Sequence, residues 1–66
     1  MDYAEAVLQV CDENADAIAR VLRVLRLVDD SRDWLAEVAA AAESYEPFQA
    51  RGLSVSALMT TVAGLV

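Results

Sequence analysis

Between Asp2 and Val28 the chain contains neither glycine nor proline, and its apolar residues return at helical intervals. Val7, Cys11, Asn14, Ile18, Val21, Leu25 and Val28 are spaced 4-3-4-3-4-3. At about 100° per residue this spacing puts them on one side of a helix. Glu5, Gln9, Asp12, Glu13, Asp16, Arg20 and Arg23 fall on the opposite side. The pattern predicts one long helix from about Asp2 to Val28. Val7, Asn14, Val21 and Val28 hold one heptad position, and Cys11, Ile18 and Leu25 hold the other. Leu8, Val10, Leu22 and Val24 widen the apolar arc beyond a two-residue seam, the mark of a helix packed on two sides.

The remaining residues extend the helical pattern. Asp29-Asp30-Ser31-Arg32-Asp33 is a polar break in which Asp30 or Ser31 can accept the first free N–H groups of a second helix. That helix is expected from about Ser31 to Tyr45, with Trp34, Val38, Ala41 and Tyr45 as its apolar stripe. Pro47 places a break at 45–47, since it donates no hydrogen bond and restricts Glu46. Phe48 to Arg51 is long enough for one more turn, stopped by Gly52. Ser54 caps a last helix from Val55 to about Leu65. The fold class is all-α: a long N-terminal helix, a second helix and a short C-terminal helix, in one small domain over residues 1–66.

Size then shapes the expectation about partners. A chain of 66 residues buries only about 60% of its unfolded surface and often depends on a staple. One cysteine makes no internal disulfide, and without histidine there is no Cys/His metal framework. Oligomerisation is the staple that remains. A compact globule of this length has a radius of gyration of about 11 Å and a diameter near 28 Å. A helix of about 26 residues is roughly 39 Å long and would overhang it. The expectation is therefore a homo-oligomeric helical bundle, a homodimer or larger, joined along Val7, Cys11, Asn14, Ile18, Val21, Leu25 and Val28. Leu58, Met59 and Val62 of the last helix form the expected surface for a protein partner, and Ala63-Gly64-Leu65-Val66 is expected to be buried.

Asn14 has two readings. In the middle of an apolar seam it can fix register by pairing with its mate; as a weak helix former and good cap it can equally split the first helix. The acidic residues Asp2, Glu5, Asp12, Glu13 and Asp16 precede Arg20, Arg23 and Arg26. That order suits antiparallel pairing.

Chemistry is restricted by what is missing. The chain has no histidine and no lysine, so neither a Ser-His-Asp triad nor a Ser/Lys variant can be assembled. Its two glycines are isolated and make no phosphate cradle. The spacing of Asp29, Ser31 and Asp33 resembles the start of a calcium loop but meets Trp34 where glycine is required and Ala40 where glutamate is required. Asp12, Glu13 and Asp16 read as a solvated stripe, Cys11 as a small core residue, and Trp34, Tyr45 and Phe48 as core aromatics. A net charge of −6 argues against nucleic acid, and 55–66 lacks the Arg, Lys, Asn or Gln of a recognition helix. The charge-free run Gly52–Val66 has 15 residues, short of the roughly 20 needed to span a bilayer. A lone cysteine and a start without a signal-peptide pattern suit a cytoplasmic protein. The expected function is a non-enzymatic protein–protein interaction module without cofactor: an adaptor, assembly subunit or small regulator. The alternative is a small acidic inhibitor, of the sort viruses use, that occupies a basic groove on a host protein.

Overall fold

The computed structural model describes residues 2–66, and Met1 lies outside them. Five helices follow one another: α1 (Tyr3–Cys11), α2 (Ala15–Val28), α3 (Trp34–Glu43), α4 (Glu46–Arg51) and α5 (Val55–Leu65). No strand occurs among the described residues.

Four of the five helices begin with a side-chain cap. Asp2 accepts from the Ala4 N–H, Asn14 from Ala17, Asp33 from Ala36 and Ser54 from Ala57, at 3.0–3.3 Å. Helix α3 is capped by Asp33 rather than by Asp30 or Ser31, so it starts three residues later than its sequence pattern suggests. In the preceding connector, Asp29 accepts from both the hydroxyl and the N–H of Ser31. The Ser31 hydroxyl, then its N–H, holds this carboxyl below the usual carboxylate range. The Trp34 indole donates to the Asp29 carbonyl at 2.8 Å, and Arg32 lies over the indole ring at 4.0 Å while pairing with Glu37. Pro47 sits in the first turn of α4, where its missing N–H is harmless, and Gly52 ends that helix at φ 67°.

The long first helix is not formed. Its heptad pattern runs through Asp12, Glu13 and Asn14, where the chain instead turns and starts again as α2. Asp12 (φ 43°) and Glu13 (φ 58°) both adopt the left-handed conformation, uncommon for residues with a side chain. Each such residue costs on the order of 1 kcal/mol or more. The turn is favoured because it lets α1 fold back onto α3, burying Ala4, Val7, Leu8 and Cys11 in the same chain. Full burial of one leucine or valine is worth roughly 1.5–3 kcal/mol, so two such residues outweigh the strained pair. Asn14 is therefore a cap, not a register device.

The core draws on all five helices: Leu8, Ile18, Leu22, Val38, Phe48 and Val62 are fully buried. Helix α2 packs on α5, α1 on α3, and α3 on α5. The radius of gyration is 10.9 Å, and the extents are 32 × 27 × 17 Å. No helix overhangs, which removes the geometric reason for a second copy.

Replacing Asn14 tests this assignment. Asn14→Ala should lower the unfolding free energy by about 1 kcal/mol and Asn14→Ser should restore most of it, measured by denaturant titration. A buried register asparagine would behave oppositely, since its removal strengthens association.

Candidate interaction surface

The seam residues divide among three environments. Val7, Cys11 and Ile18 are buried within the protomer, and Val21 and Leu25 are half-buried against its core. Asn14 is exposed at its cap, and Val28 is open to solvent at 77%. The C-terminal residues expected to meet a partner are also engaged. Met59 and Val62 are buried, and Leu58 is half-buried beside them. Ala63, Gly64 and Leu65 are exposed instead of covered, and Val66 is half-buried.

Tyr3, Val10 and Leu65 are exposed singly, and the one cluster of exposed aliphatics among the described residues lies on α2. Ile18, Ala19 and Leu22 turn inward. Val24, Leu27 and Val28 turn outward, 58%, 88% and 77% exposed. Leu27 stands on the side opposite Leu22, so no adjustment of rotamer brings it to the core. Scattered exposed valines need no explanation, and Val10 on α1 is one of these. Three large aliphatics within five residues of one helix form a patch. Val24 and Val28 continue at 4-3-4 spacing from Ala17 and Val21, which are half-buried against the core, so the edge of the core-facing seam runs out into this patch.

Charge marks the same helix. Arg20, Arg23 and Arg26 against Asp16 give α2 a net charge of +2 (three minus one) in a chain of net −6. Arg32 pairs with Glu37, and Arg51 pairs with Asp12 and Glu13. Among the described residues Arg20, Arg23 and Arg26 have no carboxylate partner, although Arg23 donates to the Leu65 carbonyl at the end of α5. The outward face of α2 is thus an aliphatic ridge bordered by guanidinium groups.

The sequence pattern named Val28 and, as a widening residue, Val24; it missed Leu27. The available signal was the width of the apolar arc. An arc carrying Val21, Leu22, Val24, Leu25, Leu27 and Val28 within eight residues exceeds what one small protomer can cover.

A cleft of about 460 Å³ is open and bordered by Asp2, Glu5, Gln9, Tyr45 and Glu46. No group of three metal-ligating side chains comes together among the described residues. None of the helices is long and apolar enough to cross a membrane.

Cys11 is buried, and burial pushes its thiol pKa up. Ionisation is thus easier in the unfolded chain. The native state should keep its full stability below about pH 8.5 and lose some as pH rises past that value. Alkylation at mildly alkaline pH should run at least about tenfold slower in the folded protein than after denaturation, as followed by mass spectrometry. No family model, curated protein or solved structure matches this chain.

Proposed function

We propose that this protein is a non-enzymatic helical interaction module, an adaptor, assembly subunit or small regulator, whose working surface is the outward face of α2. The supporting observation is the exposure of Val24, Leu27 and Val28 on a chain whose core is complete without them. A second copy is the natural first occupant. In an antiparallel pair the seam is self-complementary, with Ala17 opposite Val28 and Val21 opposite Val24 in both directions. Arg20 then lies beside Leu27 of the other copy, where its aliphatic stem adds cover.

The strength of such a pair follows from the area. Covering three aliphatics on each side, six in all, contributes about 9–18 kcal/mol at most. Association costs on the order of 4–15 kcal/mol in lost freedom. The resulting homo-oligomer is reversible at ordinary concentrations and open to exchange for a larger partner, as an adaptor or regulator requires.

Light scattering across a dilution series tests this reading. The native chain should associate as concentration rises, and Leu27→Glu with Val28→Glu should remain folded and monomeric. Association unchanged in that double variant would reject the α2 face.

A second reading, the small acidic inhibitor of a basic groove, is supported by Asp2, Glu5 and Glu46 around the open cleft between α1 and α4. It predicts binding to an arginine-rich peptide that collapses with salt and is lost in Glu5→Lys with Glu46→Lys.

A further inference from the structure

The turn between α1 and α2 is made by three residues, Asp12-Glu13-Asn14, none of them glycine or proline. Two are held at φ 43° and 58°. The Arg51 guanidinium clamps them from α4, at 2.7 Å from Asp12 Oδ1 and 3.3 Å from Glu13 Oε1. Its Nε also donates to the Pro47 carbonyl at 3.3 Å, which fixes the clamp to its own helix. The second carboxylate oxygen of Glu13 is buried without a hydrogen-bond partner. The apolar period nevertheless continues through this turn in register. Val7, Cys11, Ile18, Val21, Leu25 and Val28 keep heptad spacing as though the helix were unbroken.

We infer that the Asp12–Asn14 elbow is a hinge through which two copies exchange α1. When the elbow straightens, Tyr3 to Val28 becomes one helix. The α1 segment leaves its own α3 and seats on the α3 of a second copy. Every core contact of Ala4, Val7, Leu8 and Cys11 is then remade between chains, so the exchanged dimer gives up little burial. Two left-handed residues become helical, and their backbone groups join the helical ladder. The Asn14 cap and the Arg51 pairs are surrendered in return. Short strained hinges favour this kind of exchange. The inference goes beyond the docking role of α2, since the surface involved is the buried face of α1.

The test compares three elbows after refolding at low and high protein concentration. Asp12→Ala with Glu13→Ala removes the clamp's partners and favours helix through the elbow. Asp12→Gly with Glu13→Gly accommodates the left-handed turn. The alanine pair should raise the dimer fraction about tenfold over the glycine pair, with the native chain between them. Equal dimer fractions, or a monomeric alanine pair, would overturn the hinge. Arg51→Ala in the native elbow is a milder release and should shift the balance in the same direction.

A contact readout separates exchange from simple docking. The Tyr3 and Trp34 rings meet edge to face at 6.4 Å across α1 and α3. In dimers refolded from mixed isotope-labelled and unlabelled chains, their cross-peak should appear between chains in an isotope-filtered spectrum. A Tyr3–Trp34 contact confined to single chains would overturn exchange. Leu27→Glu with Val28→Glu, monomeric when never unfolded, should still form the exchanged dimer after refolding at high concentration. Loss of the dimer there, with all elbow variants behaving alike, would reject the hinge while leaving the α2 surface standing.

Discussion

Folding α1 back against α3 is the step on which the rest of this small protein depends. Without it Leu8, Val7 and Ala4 would stand in water, and Val38 and Trp34 would lose one wall of their packing. The reversal takes place over three residues and uses neither glycine nor proline. Its strain is met in two ways. Asn14 supplies a side-chain oxygen to start α2, and Arg51 reaches across from α4 to hold both carboxylates. Arg51 is itself half-shielded and lies 5.7 Å from the Phe48 ring. The residue that clamps the elbow is thereby tied to a fully buried aromatic of the core. Solvent-exposed ion pairs contribute little by themselves, so the clamp acts through position more than through energy.

A domain of this size with no disulfide depends on local consistency. Each of the short helices is below the length at which an isolated helix is stable in water. Caps at Asp2, Asn14, Asp33 and Ser54 contribute on the order of 1 kcal/mol each. The α2–α3 connector is fastened by the Trp34 indole, whose ring is buried while its N–H meets the Asp29 carbonyl. Because the Ser31 hydrogen bonds favour the charged form of Asp29, their contribution is present above about pH 3.9 and fades as the pH falls through the lowered native value.

The helical class, the Ser54 cap, the Gly52 stop and the last helix were legible because each rests on a local rule with one competing alternative. The broken first helix was not. Heptad spacing is the same whether Val7 and Ile18 meet another chain or fold into one core, so periodicity assigns the face and leaves the partner open. Asn14 was the informative residue, since it satisfies both readings by different chemistry. Leu58, Met59 and Val62 read as a partner surface for a related reason, while Met59 and Val62 pack into the core with Leu58 half-buried beside them. An apolar helix at the end of a pattern looks exposed until it is known that α2 and α3 close over it. Leu27 escaped attention because it lies outside the seam. The same helical period that draws the seam sets it opposite Ile18, among Gln9, Asp16 and Arg20.

The distribution of charge now acquires a physical meaning. Two identical chains of net −6 repel one another, and only contacts made within about 8 Å escape screening at physiological salt. Most of the molecular surface is thereby disfavoured for self-association. The face of α2 differs from the rest because its outward ridge is aliphatic and offers burial against that repulsion. Arg23 is already occupied at the end of α5, which leaves Arg20 beside the ridge as the nearest free guanidinium. In an α2–α2 pair the two arginine-bordered faces meet each other, so like charges repel locally and aliphatic burial has to exceed that repulsion. Added salt should strengthen that pairing by weakening the long-range repulsion while leaving aliphatic burial intact. A contact built mainly on carboxylate–guanidinium attraction has the opposite dependence. The sign of the salt effect thus separates association driven by Val24, Leu27 and Val28 from association driven by the arginines that border them.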